Sequence, residues 1–151
     1  ITGIAGKKGF SVIAIEKDMM NSEIGFGRKV LEVLENHKIC FEHLPSGIDT
    51  MSVVVNDNDF LPVKDTVIAD IQKKTKPDNI TIYNGIALVA VVGRGMAGSK
   101  GTASRLFKAI ANSDINIRMI DQGSSELNII VGVAEEDYVA TLEAIYNEFV
   151  K

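Results

Sequence analysis

The chain repeats itself, and that repeat limits what it can fold into more than any other feature of its 151 residues. Displaced by 76 positions, the sequence matches itself without a gap. Gly25 falls on Gly101, Met20 on Met96, Val30 on Leu106, Leu31 on Phe107 and Leu34 on Ile110. Further on, Ile39 meets Ile115, Phe41 meets Ile117, Met51 meets Leu127, Val53 meets Ile129 and Val55 meets Val131. Upstream, Ile13 and Ile15 meet Val89 and Val91; after a slip of two, Val67 and Ile71 meet Ile145 and Phe149. A chain that keeps apolar type and position over such a length folds as two like units.

Each copy has the same local grammar. Phe10 to Glu16 is β-branched and apolar without a helical stripe, so it predicts a strand. Asn21-Ser22-Glu23 offers N-cap chemistry before a helix to about Asn36, with Val30, Val33, Leu34 and His37 along one side. A strand from Ile39 to Leu44, a Pro-Ser-Gly turn and a strand from Thr50 to Val55 follow. A second helix spans about Phe60 to Lys74, with Val63, Val67, Ile68 and Ile71 at helical spacing, and Asn79 to Tyr83 closes the copy as a strand. The unit is βαββαβ, an α+β fold with two helices on one face of an antiparallel sheet.

The second copy ends with its last helix and lacks a closing strand, while Ile1 to Ala5 is strand-like and has no role in the first copy. The economical arrangement gives 1–5 to the second unit. The first unit (9–85) is then inserted into the second (1–8 plus 86–151). The start at Ile1, without an initiator Met, reads as a piece of something longer.

Strand parity adds one expectation. Ile39, Phe41 and His43 share one face and Cys40, Glu42 and Leu44 the other; on the next strand Met51, Val53 and Val55 oppose Ser52 and Val54. Apolar residues on both faces predict that something covers the second, either another sheet of the chain or a second copy.

Composition removes several classes. With 46% hydrophobic and 24% charged residues the chain is globular in type. Its apolar runs are far shorter than the roughly 20 residues of a membrane span. A net charge of −4 argues against nucleic acid, and Lys73-Lys74-Thr75-Lys76 suits a helix C-terminus. The single cysteine, Cys40, permits no internal disulfide and suits a reducing cytoplasm.

Gly93-Arg94-Gly95-Met96-Ala97-Gly98 follows a strand, precedes a helix and fits the dinucleotide pattern G-x-G-x-x-G, with an acid downstream at Asp121. That pattern needs a parallel βαβ unit, whereas here the next strand turns into a hairpin at Asp121-Gln122-Gly123-Ser124. The histidines, His37 and His43, have no partner at ligand spacing, and no nucleophile–base pair or carboxylate dyad stands out. The loop Met19-Met20-Asn21-Ser22-Glu23-Ile24-Gly25-Phe26-Gly27 is different. It enters a helix, whose first N–H groups attract anions, and Gly25 and Gly27 let a ligand approach the backbone. At the same displacement, Glu42 aligns with Arg118 and Asp49 with Ser125. The first copy alone therefore sets acids beside an anion-accepting helix end. A zwitterion with an additional cation fits such a site, its carboxylate on the Gly25–Gly27 N–H groups and its ammonium on Glu42 or Asp49. A tight turn with capping, and a ligand-free dimerisation module, are the competing readings.

At Met20 to Val33, at Glu42-His43-Leu44-Pro45-Ser46-Gly47-Ile48-Asp49 and at Gly93 to Gly101 the chain resembles the tandem regulatory ACT domains of aspartate kinases, which are ferredoxin-like βαββαβ units. The resemblance covers essentially the whole chain and is closest to the monofunctional, lysine-sensitive type. It implies a regulatory region of an enzyme that phosphorylates the β-carboxylate of aspartate with ATP. Its effector would be an end-product amino acid, lysine before threonine, held by Met20, Glu23, Gly25, Phe26, Gly27, Phe41, Glu42 and Asp49. Glu23 and the Pro45-Ser46-Gly47 turn depart from the pattern of lysine-sensitive members. The resemblance also implies a homodimer through the ACT sheets. ATP and Mg would lie in an N-terminal kinase domain, with no cofactor or catalytic residue in these 151 residues.

Overall fold

The computed structural model describes residues 3–150. The chain divides into two compact units: a first, Gly9–Asn84, and a second made of the described part of Ile1–Lys8 together with Gly85–Lys151. Gly85 thus belongs with the second unit. Residues 1 and 2 of the expected 1–5 strand lie outside the described residues.

In the first unit, β1 (Gly3–Glu16, from residue 9 on) leads through a 3₁₀ turn at Met20–Ser22 into α1 (Phe26–Asn36). Then come β2 (Phe41–His43), β3 (Thr50–Asn56), a single-turn helix α2 (Asp57–Phe60), α3 (Lys64–Thr75) and the start of β4 (Asn79–Val92). The sheet order is β2-β3-β1-β4, with β1 antiparallel to β3 from Phe10↔Asn56 to Glu16↔Thr50. Ile13 and Ile15 on β1 and Met51, Val53 and Val55 on β3 share one face. They meet Phe26, Val30, Val33 and Leu34 of α1 and Val67 and Ile71 of α3 in one buried cluster. Burying each such aliphatic side chain is worth roughly 1.5–3 kcal/mol. On the opposite face Phe10 and Val54 are also buried, as the two-sided apolar pattern requires.

The second unit repeats the plan. The rest of β4 passes through a 3₁₀ turn at Arg94–Met96 to α4 (Thr102–Asn112), then β5 (Met119–Asp121), β6 (Asn128–Ala134) and α5 (Tyr138–Phe149). The sheet order is β1-β4-β6-β5, with β4 and β6 antiparallel. In that order the beginning of β1 stands where β4 stands in the first unit. Ala87, Val89, Val91, Ile129, Val131 and Val133 pack with Leu106 and Ile110 of α4 and Ile145 of α5. The architecture is α+β, with antiparallel strands and helices in each unit.

Several local expectations are corrected. The strand expected at 10–16 and the described part of the strand-like piece at 1–5 belong to one 14-residue strand, and Asn79–Tyr83 likewise continues to Val92. Each long strand changes unit at a glycine with positive φ, Gly9 at 92° and Gly85 at 67°, a conformation only glycine adopts without strain. The strand expected at 39–44 shrinks to Phe41–His43, because its register slips between these two residues and leaves Ile39 buried in the preceding loop. The helix expected at 60–74 is broken by a 3₁₀ turn, Leu61–Val63, where Pro62 can give no N–H to a continuing helix. Nor do Asn21 and Ser22 cap α1. The backbone N–H groups of Asn21, Ser22 and Glu23 are taken by Ile48, Met19 and Met20 carbonyls, and the chain enters the helix through Gly25 at φ 84°.

The register of the repeat also changes. β3 and β6 show the same order of buried and half-buried positions, which aligns Met51 with Ile129 and Val53 with Val131, a displacement of 78. The same comparison of α3 with α5 aligns Val67 with Thr141 and Ile71 with Ile145, a displacement of 74. The sequence match errs by two in the strand and by four in the helix. Those shifts preserve, respectively, strand parity and the helical face.

Candidate functional site

The first unit's candidate site forms where three segments end together. β1 stops at Glu16, across from Thr50. The chain beyond it is then held by the β2–β3 hairpin. Lys17 N–H donates to the Asp49 carbonyl (2.9 Å), Met19 N–H to Asp49 Oδ1 (3.1 Å) and Asn21 N–H to the Ile48 carbonyl (3.1 Å). From the turn after α3, Asp78 Oδ2 accepts from Asp18 N–H (2.8 Å), and Asp78 N–H donates to the Glu16 carbonyl (2.8 Å). A cavity of about 240 Å³ lies among Glu16, Lys17, Asp18, Asp49, Thr50 and Asp78. Four of these six are carboxylates, so the cavity favours a cation or the ammonium end of a ligand.

The neighbouring end of the loop is cationic. Lys17 Nζ donates to Glu23 Oε1 (2.6 Å) and to the Thr75 carbonyl at the end of α3 (2.8 Å), and it lies 5.6 Å from the Phe26 ring centre. Lys29 Nζ is 3.6 Å from the other oxygen of Glu23. The hydrogen bond from Lys17 holds the Glu23 carboxyl below the usual glutamate range; desolvation, next in size, opposes it, and the charges of Lys17 and Lys29 help to outweigh that. α1 has no acidic residue in its first turn, and Gly25 supplies no side-chain cap. Phe26 N–H is taken by the Glu23 carbonyl (3.3 Å), so the N–H groups that the helix start offers to an anion are those of Gly27 and Arg28.

The structure brings six of the expected site residues to this corner. Met20 and Phe26 are buried beneath the loop, a Cβ at Gly27 would meet the Met51 methyl at 4.0 Å, Gly25 sets the entry to α1, and Glu23 and Asp49 are placed as above. Phe41 and Glu42 are not part of it. They lie on β2, the edge strand, where Phe41 lines a separate apolar cleft of about 650 Å³ with Leu31, Leu34, Ile39 and Cys40. The acids gathered at the loop are Glu16, Asp18, Asp49 and Asp78, not Glu42. Sequence reasoning missed Lys17, Glu16, Asp18 and Asp78. A signal was present for three of them, since the residues 76 positions on from Glu16, Lys17 and Asp18 are Val92, Gly93 and Arg94.

The second unit fixes its loop by the same backbone bond, from Gly93 N–H to the Leu127 carbonyl (2.9 Å). The counterpart of Asp49 is therefore Leu127, not Ser125, because the two-residue slip falls in the hairpin. Glu42 keeps Arg118 as its counterpart, since His43 faces Val54 and Met119 faces Gly132 across equivalent strands. Glu16, Asp18 and Asp49 are thus replaced by Val92, Arg94 and Leu127. β5, the strand after α4, pairs with β6 and not with β4, so the Gly93–Gly98 loop opens a split unit with an antiparallel strand between its two parallel ones, not the adjacent parallel pair that the dinucleotide pattern needs. Among the described residues no group of three or more His, Cys, Asp or Glu could hold a metal, and no helix is long and apolar enough to cross a membrane.

Residues 89–149 match the family model described as ACT domain. Aspartokinase 3 of Bacillus subtilis is 39% identical over 150 residues, which is 99% of this chain and 33% of that protein. The crystal structure of Clostridium acetobutylicum aspartate kinase superposes with a TM-score of 0.96 at 52% identity, over 99% of this chain and 34% of that one. Over almost its whole length the chain is thus similar to one segment of aspartokinases, and its residues 89–149 match the ACT-domain family. Its fold is shared at lower identity, 21% and TM-score 0.77, by Escherichia coli aspartokinase III solved in complex with lysine and aspartate, over 97% of this chain and 33% of that one. The chain spans about a third of the length of these relatives.

Proposed function

We propose that this segment is the effector-sensing part of an aspartate kinase, an enzyme that transfers phosphate from ATP to the β-carboxylate of aspartate. The first unit is its ACT domain for an end-product amino acid, and lysine suits it best. The observation that carries this reading is the asymmetry of the two loops. One end of the first unit's loop gathers Glu16, Asp18, Asp49 and Asp78, and the other presents lysines and an uncapped helix start. A ligand with a carboxylate and a further cation has complementary charge for both ends. The second unit offers Val92, Arg94 and Leu127 instead. The lysine bound to the Escherichia coli relative is of that chemistry. Threonine lacks the second cation and ranks below it.

The partner is a second copy of the chain, joined through the ACT sheets, with Phe41 and Glu42 on the β2 edge facing the joint. Effector binding then favours one subunit arrangement over another and moves the start of β1, which leads toward the kinase domain. Switching such an equilibrium decisively needs a differential affinity of several kcal/mol. ATP and Mg belong to that kinase domain.

The test is a thermal-shift panel with lysine, threonine, methionine, aspartate and ATP, each added singly. A ligand at about 100 times its Kd adds about 2.7 kcal/mol, and a chain of this size gains roughly 2–4 °C for each kcal/mol. A shift with lysine that Asp49→Ala abolishes is expected. No shift with any amino acid would overturn the reading.

A further inference from the structure

We propose that Glu23 is the built-in occupant of the effector site: without ligand, its carboxylate sits on the Lys17 and Lys29 ammonium groups that would otherwise hold the carboxylate of an amino acid. The proposal rests on the effector reading above and gives that site a competitor within the chain. Each oxygen of Glu23 faces a different lysine, Oε1 on Lys17 at 2.6 Å and Oε2 on Lys29 at 3.6 Å. Two cations converging on one carboxylate is how a carboxylate ligand is bound. The fold sets these cations in place independently of Glu23. Lys17 is anchored by the Thr75 carbonyl and the Phe26 ring and is only 24% exposed, while Lys29 belongs to the first turns of α1.

Glu23 itself is free to leave. It has extended backbone (φ −88°, ψ 109°) between the 3₁₀ turn and Gly25, so its side chain can swing out without unwinding either helix. The trio is confined to one unit. At the corresponding positions the second unit carries Gly93, Ser99 and Arg105, and Arg105 is engaged by Glu148 at 2.9 Å. An arriving carboxylate must displace Glu23 or bind against a like charge. Removing that charge is expected to tighten lysine binding about tenfold, the size of effect a neighbouring unit charge has on an ionic equilibrium.

The test compares the chain with Glu23→Gln. Its first arm uses sodium sulfate, a plain anion that involves no effector, against sodium chloride at equal ionic strength. The variant is expected to gain more thermal stability from sulfate than the unaltered chain, and Lys29→Gln added to it should remove the gain. The second arm titrates lysine calorimetrically, with tighter binding expected in the variant. Should Glu23→Gln fail to fold, Glu23→Ser, the residue found at Ser99, takes its place. An equal sulfate response in both chains overturns the proposal. So does weaker lysine binding in the variant, which would make Glu23 a ligand of the effector. A sulfate gain with no amino acid bound by either chain leaves Glu23 as occupant of an anion site and overturns the effector reading alone.

Discussion

The two units share their framework and differ in their loops. β3 and β6 bury the same positions in the same order, α3 and α5 agree at 11 of 12 positions, and α1 and α4 both follow a glycine of positive φ, Gly25 at 84° and Gly101 at 87°. Even the bond that ties loop to hairpin recurs, Lys17 to Asp49 in one and Gly93 to Leu127 in the other. Side chains at the loops are under no such constraint. The first unit has Glu16, Lys17, Asp18, Glu23 and Asp49 where the second has Val92, Gly93, Arg94, Ser99 and Leu127. The packing is common to both copies, whereas the cluster of carboxylates is found in the first. The difference between the copies therefore marks the site better than either copy alone.

The comparison can be broken first at the core. Among the described residues α2 occurs in the first unit, where Phe60 is fully buried, while the second has a 3₁₀ turn, Glu135–Asp137, between β6 and α5. Phe60→Ala is expected to cost about 3–5 kcal/mol in denaturant unfolding. Amide exchange should accelerate mainly across residues 9–84; equal acceleration in both units would contradict their separate cores. Next in size is the reciprocal swap at Gly132, the counterpart of Val54. A Cβ there would lie 2.9 Å from the Met119 Cβ and 3.6 Å from an Ile86 methyl. Gly132→Val should therefore destabilise by roughly 1–3 kcal/mol, measurable as a lower denaturation midpoint, although it makes the second unit more like the first.

Smaller still is Asp49→Ala, which removes the acceptor of the Met19 N–H and should cost about 1 kcal/mol. Leu127→Ala, at a partly exposed position, should cost less on the same measurement. The smallest effect is one of pH. Glu23 has a folded pKa below its ordinary 4.5, so its contribution to stability is present above that value and is lost as the pH falls through the folded value. Thermal midpoints taken from pH 6 to pH 3 should fall less steeply in Glu23→Gln than in the unaltered chain. Parallel curves would remove Glu23 from the account.

Much of the fold was legible because strands and helices announce themselves by period. Ile13, Ile15, Val53, Val55, Val30 and Leu34 all belong to the core that their spacing predicted. What escaped was register. A slip of two residues returns every strand side chain to its own face, and a slip of four returns a helix almost to its own stripe. The apolar match between copies thus could not reveal that Asp49 answers to Leu127 or that Ile71 answers to Ile145. Only backbone hydrogen bonds and burial order fix these. The candidate site was half legible for a related reason. Gly25 and Gly27 mark a helix entry in sequence, but Asp78 joins the loop from about 60 residues away through one bond to Asp18 N–H. Lys17 likewise reaches the Thr75 carbonyl across a separation of 58 residues. Pairings at such distance leave no local pattern. Glu42 shows the converse: its neighbours in sequence suggest the site, but β2 carries it to the sheet edge.

The central claim is that the first unit alone senses an amino acid, and residue-resolved NMR during a lysine titration tests it most directly. The account predicts amide shifts that saturate with lysine and are concentrated in Lys17 to Gly27, Ser46 to Thr50 and Asp78, with Gly93 to Gly101 unmoved. Saturating shifts in Gly93 to Gly101 with a silent first loop would contradict it.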